Sequence, residues 1–394
     1  MSTKVTLSSS FSPVKKSGTV TAGAELLDPA GARVILGWSA DELVAAIAPS
    51  ETKLFGPRGV CLHPNGSFWI ADTGHHRLLG WHKVPEHDNQ PADILIGQPD
   101  FSREGRNGKS TPSASTCNVP TGIAAWGEGL ALADPWNHRV LLWRTLPTEH
   151  NQPADIILGQ SNDNSVLLNR GADIPTAETL YWPYGVSVVD DTLAVCDTGN
   201  RRVLLWKDPQ QTGQPADVVL GQFGFDSRDE NAGDAVSAMS MRWPHQALGW
   251  QGRLAVADAG NNRVMFWNSM PTEMGQACDT VLGQSEMHDC DHNMGGYYPT
   301  ASALNMPYAL ADVNGNLLVA DTANSRLVAF DNADMAAKAN YLVAQSDFAS
   351  KGDNRWLLPS RDSVCWPYGM SAFGNTVAIA DSGNNRVLIW DGIQ

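Results

Sequence analysis

Six times along the chain, a short apolar run ends in Asp, a polar turn follows, and a second apolar run begins at Arg. The segments are IADTGHHRLLGW from Ile70, LADPWNHRVLLW from Leu132, VCDTGNRRVLLW from Val195, VADAGNNRVMFW from Val256, VADTANSRLVAF from Val319 and IADSGNNRVLIW from Ile379. Apolar runs this short, bounded by Gly and Asn, read as buried strands rather than helices. The turn between them needs residues that tolerate positive φ, as Gly and Asn do. Upstream of each pair lies a Pro-led segment such as WPYGVSVV (182–189), and downstream comes a stretch such as ADVVLGQ (216–222). Each unit therefore predicts four strands, and a four-stranded unit repeated radially is a propeller blade. The aspartates that anchor the units are Asp72, Asp134, Asp197, Asp258, Asp321 and Asp381, at intervals of 62, 63, 61, 63 and 60 residues.

The last unit stops at Trp390-Asp-Gly-Ile-Gln394, directly after its third strand, and the missing fourth strand stands at the other end of the chain. There ARVILGW (32–38) matches ADIILGQ (154–160). The expectation is an all-β, six-bladed propeller in which the strand at 32–38 completes the last blade and removes its open edge. A length of 394 residues would otherwise suggest two or three domains of roughly 100–200 residues, but repeat folds are exempt from that prior. The domain reading is a tail or arm over 1–30 and one propeller over 31–394.

The xADTGNxRV core resembles the NHL repeat, in which six blades commonly close into a propeller. The longer form, with LGQ and an insertion before each Pro, is similar to a bacterial subgroup of such proteins. The resemblance implies the fold. It leaves function open, because the family includes peptidyl-amidating lyases, RNA-binding modules and protein-interaction scaffolds.

Comparing the six repeats with one another separates scaffold from candidate site. Residues present in every blade, the six Asp and the arginines Arg77, Arg139, Arg202, Arg263, Arg326 and Arg386, read as architecture. So do the strand-ending Trp81, Trp143, Trp206, Trp267 and Trp390. The insertions are regular too, since Asn107, Asn169, Asn231, Asn293 and Asn354 each stand nine residues after Gln98, Gln160, Gln222, Gln284 and Gln345. A Pro-Ser or Pro-Thr element follows in most of them, and one helical turn is expected there with Pro at its start. These loops and the Thr-Gly-Asn turns should share the face on which the central channel opens, where propellers commonly carry function.

The residue after each blade-opening Pro should line that mouth: Arg58, Thr121, Tyr184, His245, Tyr308 and Tyr368. The residues before the same prolines include Trp182, Trp243 and Trp366. Rigid aromatics with a few polar handles suit a small organic ligand or a peptide. Arg58 and His245 break the aromatic pattern most.

In one insertion, His288-Asp289-Cys290-Asp291-His292 crowds five potential ligands together. His288, Cys290 and His292 could hold zinc or another transition metal. Asp289, Asp291 and Asn293 have calcium-loop spacing, though Gly295 comes one place late and Thr300 stands where Glu belongs. A solvated polar loop is the remaining reading. GRNGKS (105–110) is no phosphate loop, because Arg103 occupies the place of the first Gly.

The formal net charge of −15 argues against nucleic acid and against an anionic membrane surface as partners. The segment MSTKVTLSSSFSPVKK lacks the apolar region of a secretory signal, and the six Cys show no paired spacing, so a cytoplasmic chain with free thiols is expected. The functional expectation is a non-catalytic scaffold that binds a protein or small-molecule ligand on the channel-mouth face. The alternative is a metal-dependent enzyme of lyase or hydrolase type at the same mouth, with a single metal ion as cofactor. Amidating lyases collect histidines from several blades, whereas only His245 takes a mouth position here.

Overall fold

The computed structural model describes residues 23–37 and 48–393. Residues 1–22 of the expected arm, Trp38 of the expected closing strand and Gln394 lie outside the described residues. Six four-stranded antiparallel sheets form the blades of one propeller. In blade 3, the strands Pro183–Val189, Thr192–Asp197, Arg202–Lys207 and Val218–Leu220 run in order from the channel outward. Blades 1, 2, 4 and 5 repeat this order, opening at Gly59, Ile123, Pro244 and Pro307. Blade 6 is built from both ends of the chain. Val34–Leu36 pairs antiparallel with the strand Arg386–Asp391, setting Val34 opposite Ile389 and Leu36 opposite Val387.

The N-terminal residues that lead into this strand also supply a missing connector. In five places a buried blade tryptophan needs an acceptor for its indole N–H. Trp81, Trp143, Trp206 and Trp267 donate to the carbonyls of Gln90, Gln152, Gln214 and Gln276 in their own blades. Trp390 donates instead to the carbonyl of Asp28, from the other end of the chain, at 2.7 Å. Leu26 and Leu27 bury themselves between blades 5 and 6 alongside.

The core is divided into six apolar clusters, each filling the wedge between two neighbouring blades. Near the axis, space is short. A Cβ on Gly185 would lie 1.9 Å from the His245 carbonyl oxygen, so only glycine lets these inner strands approach. At the same place blade 4 carries Gln246, whose side-chain amide exchanges two hydrogen bonds with the backbone of Leu310 in blade 5.

The repeated Asp is the hub of each blade. In blade 3, Asp197 Oδ1 accepts the Tyr181 N–H at 2.7 Å, while Oδ2 accepts from Asn200 at 2.7 Å and Arg202 Nε at 2.8 Å. The rest of the guanidinium donates to the carbonyls of Phe225, Thr176 and Thr179 in the flanking insertions. Both charged side chains are completely buried, as they are in all six blades. Burying such a pair costs about as much as it returns. Its use is to fix the loops, because the Arg202 guanidinium reaches three loop carbonyls and Asp197 Oδ1 holds the Tyr181 N–H.

The insertions turn at a different place from the one expected, and at least two residues of each turn are left-handed. A 3-10 turn forms on the repeated Asn, as in Leu168–Gly171, and not at the following Pro. Asn169 itself is left-handed at φ 46°, which Asn tolerates, and its amide pairs with that of Asn200 in the next blade. The Pro-led element makes only a single turn, in which the Thr176 carbonyl accepts the Thr179 N–H, and the carbonyls of Thr176 and Thr179 also accept from Arg202. No helix is long and apolar enough to cross a membrane among the described residues, and all six cysteines are free.

Candidate functional site

At five of the six blade junctions, one hydrogen bond joins the turn of a blade to the chain entering the next. The residue after the turn is left-handed, and its side chain accepts the N–H of the residue before the next blade-opening Pro. His76 accepts from Val119, His138 from Trp182, Asn262 from Met306, Ser325 from Trp366 and Asn385 from Gly56. All five donors are themselves left-handed, with φ between 50° and 60°. At the junction of blades 3 and 4 the corresponding residue is Arg201, which has no acceptor to offer.

The backbone there takes another course. Trp243 is absent from the left-handed residues. Its N–H turns to Asp258 Oδ1 at 3.3 Å, and its carbonyl accepts the Ala259 N–H at 3.0 Å. The same carbonyl lies 2.8 Å from His245 Nδ1. That contact requires the Nδ1–H tautomer and leaves Nε2 as an acceptor, engaged by no partner among the described residues. Burial lowers the His245 pKa to about 4, aided by Arg58 and opposed by the Trp243 carbonyl, so the ring is neutral near pH 7.

Around His245 the ring residues gather as the sequence ordering requires. Its imidazole stacks on Tyr308 at 3.9 Å and 14° and leans on Tyr184 at 4.4 Å. Tyr308 meets Tyr368 edge-on at 4.8 Å, and the Arg58 guanidinium lies 4.9 Å over the Tyr368 ring. Burial raises the pKa values of the Tyr184 and Tyr308 hydroxyls well above the ordinary phenol range, so both are neutral donors. The Tyr184 hydroxyl is buried beside the Arg58 guanidinium without a hydrogen bond of good geometry. Tyr184 in turn leads the interactions that raise the Arg58 pKa and keep it cationic. Arg58 has no carboxylate partner among the described residues.

These side chains floor a cavity of about 360 Å³ that is displaced from the axis towards blades 2, 3 and 4. Of the residues read from the sequence, Arg58, Thr121, Tyr184, His245, Tyr308, Tyr368, Trp182 and Trp243 line it. Trp366 does not, and instead stacks beside Tyr368 at 6.5 Å. The Thr121 hydroxyl is already spent on the Tyr184 carbonyl at 2.6 Å. Trp136 and Arg201 complete the wall and are missing from the sequence-derived set. The same comparison of repeats finds both when it is carried into the turn. Trp136 stands where the other blades have Gly or Ala, and Arg201 stands where they have His, Asn or Ser. Trp136 meets Trp182 edge-on at 6.4 Å, and both rings are more than two-fifths exposed, forming an apolar lip. The lining includes two arginines and no carboxylate.

The opposite end of the channel opens into a cavity of about 270 Å³ with walls such as Leu62, Ile123, Val188 and Leu248. Asp312 is its one ionisable side chain apart from Cys61.

The candidate metal ligands are not brought together. His288 Nδ1 lies 2.9 Å from the Val236 carbonyl, and the Cys290 carbonyl accepts from Asn262. His292 starts the 3-10 turn whose geometry serves Asn293. No three His, Cys, Asp or Glu side chains converge in a metal-holding group among the described residues. These residues occupy the same insertion turn as in the other blades, where the carbonyls of Met287, Cys290 and Asp291 accept from Arg263, Asn262 and Gln284.

A sequence profile of the NHL repeat matches residues 56–81, from Gly56 through Trp81 of blade 1. Blade 1 thus carries an NHL repeat, and the chain folds as a six-bladed β-propeller. No curated protein matches its sequence. Among solved structures, this propeller is similar to a protein of unknown function from Bacteroides thetaiotaomicron, with TM-score 0.51 and 12% identity over 91% of this chain and 76% of that one. It also resembles a streptogramin B lyase, with TM-score 0.43 and 10% identity over 88% of this chain and 95% of the other. The virginiamycin B lyase of Staphylococcus aureus gives TM-score 0.42 and 9% identity over 88% and 98% of the two chains. At these identities the likeness is one of fold.

Proposed function

We propose that this propeller is a non-catalytic binding protein that grips a small organic ligand in the cavity over blades 2, 3 and 4. One observation carries the reading. The residues that break the six-fold pattern, Arg58, Trp136, Arg201 and His245, converge on a single cavity with Trp243, which departs in its backbone, although they come from four different blades. Architecture alone has no need of such convergence, since each of these positions has a plainer solution in another blade. The cavity volume falls within the roughly 300–1,000 Å³ typical of ligand sites, and its walls combine aromatic surface with a few polar groups.

Trp182→Ala is the direct test, because Trp182 is 45% exposed and its loss removes lip surface without opening the core. Ligand-observed NMR against a set of small aromatic acids, amides and amines should show binding to the native protein. In the variant that binding should weaken by about tenfold, a change of about 1.4 kcal/mol. The thermal midpoint should stay where it was. Undiminished binding in the folded variant would overturn the location of the site.

A further inference from the structure

The cavity also specifies what its occupant carries. We propose that the ligand is an aromatic carboxylate, its anionic group seated on Arg58 and its flat body lying against Trp136 and Trp182. This rests on the mouth being the binding site, and it adds the chemistry.

The charge argument comes first. Arg58 presents a planar fork of donors in a half-buried position, with no carboxylate partner among the described residues and none in the cavity wall. Its neighbours are neutral. Burial keeps the Tyr184 and Tyr308 hydroxyls protonated and the His245 ring uncharged. The buried Tyr184 hydroxyl adds a donor with no hydrogen-bond partner of good geometry. A guanidinium held in partial burial without a counter-charge is costly, and an incoming anion would relieve that cost. The Tyr368 face beneath the guanidinium fixes its plane and leaves its edge for bidentate contact.

The donor count then selects the anion. A phosphate needs many donors, usually backbone N–H groups in a nest or at a helix start. Here the N–H groups of Val119, Trp182 and Trp243 at the mouth are already committed to His76, His138 and Asp258. The residues that follow them in blades 2, 3 and 4 are prolines, which have none. What remains are side-chain donors: the Arg58 fork with the Tyr184 and Tyr308 hydroxyls, and the Arg201 guanidinium at the wall, whose Nη1 already donates to the carbonyls of Gly199 and Arg228. One free fork flanked by hydroxyls, with a second cation nearby, matches a carboxylate. The aromatic lip then accounts for the rest of the ligand, because Trp136 and Trp182 offer broad, flat, partly exposed ring surface.

The test compares matched pairs that differ only in charge: indole-3-acetate against indole-3-acetamide, and phenylacetate against phenylacetamide. The peptide acetyl-Gly-Trp, with a free C-terminus, tests whether the same chemistry is accepted from a chain end. Isothermal titration should show each acid binding about tenfold or more tightly than its amide. Arg58→Gln should remove that preference by weakening the acids alone, and Trp182→Ala should weaken acids and amides alike. Binding of acetyl-Gly-Trp as tight as that of indole-3-acetate would identify a peptide end as the source of the carboxylate. Much weaker binding of the peptide would identify a free acid. Equal affinity for acid and amide in the native protein, or no binding of any acid, overturns the carboxylate assignment whether or not Arg58→Gln folds. If Trp182→Ala leaves every affinity unchanged, the cavity itself is the wrong place.

Discussion

Two kinds of blade junction coexist in this propeller. Five are stitched by a side chain that accepts a backbone N–H from the next blade, with the donor residue held left-handed. The sixth, between blades 3 and 4, gives up that bond. Arg201 stands in the acceptor's place, Trp243 reorients, and its carbonyl fixes the tautomer of His245. The difference shows where local regularity has been traded for a surface of different chemistry. The ordinary junctions could be exchanged for one another, whereas the exceptional one places a second arginine, a tryptophan and an oriented imidazole on the same cavity.

The largest effect expected lies outside that contrast and defines its background. Asp197→Ala should destabilise the fold by about 3–5 kcal/mol, because it strands a buried guanidinium, Arg202. Asp258→Ala, on the other side of the exceptional junction, should cost a similar amount in chemical denaturation. A far smaller loss in blade 4 would mean that the exceptional junction has its own scaffold and is no simple departure from the shared one.

The second effect belongs to the exceptional junction itself. His245 has its pKa lowered from 6.5 to about 4 in the fold, chiefly by burial. The unfolded chain therefore takes up the proton first as the medium is acidified. Stability contributed by the neutral ring is complete above pH 6.5 and is lost as pH falls from there through about 4. At about 1.4 kcal/mol per pH unit, the full loss is about 3 kcal/mol. His138, at an ordinary junction, has its pKa lowered to about 4 by burial as well and adds to the acid limb in the same direction. His245→Gln should make that limb shallower when stability is followed from neutral to acid pH. An unchanged slope would show that the ring is not held neutral.

Much of the fold was legible in the sequence because closure and repetition leave few alternatives. Six aspartates at near-constant spacing define the blades, and a truncated sixth unit with a spare strand at 32–38 defines the latch, seen as Val34–Leu36. The insertion turn was misplaced because the sequence shows a Pro but not that the repeated Asn pairs its amide with an Asn of the next blade, as Asn169 does with Asn200. The site was legible along the ring, where the residue after each Pro must face the axis. It was less legible at the lip, where Trp136 and Arg201 sit in a turn that looks uniformly architectural until its six copies are compared position by position. The cluster from His288 to His292 shows how sequence proximity differs from spatial convergence. Ligand-type residues close in sequence are pulled apart by a backbone that serves Asn293 and its partner Asn324.

The most direct measurement on the central claim is to make the exceptional junction ordinary. Arg201→Asn supplies the acceptor that Asn262 and Asn385 provide elsewhere. The expected result is a gain of about 1 kcal/mol in stability from the restored hydrogen bond. Together with it, the affinity for indole-3-acetate should fall by about tenfold. A variant that is no more stable than the native protein, or that is more stable and binds the acid as before, would contradict the view that this junction gave up its stitch to build a binding site.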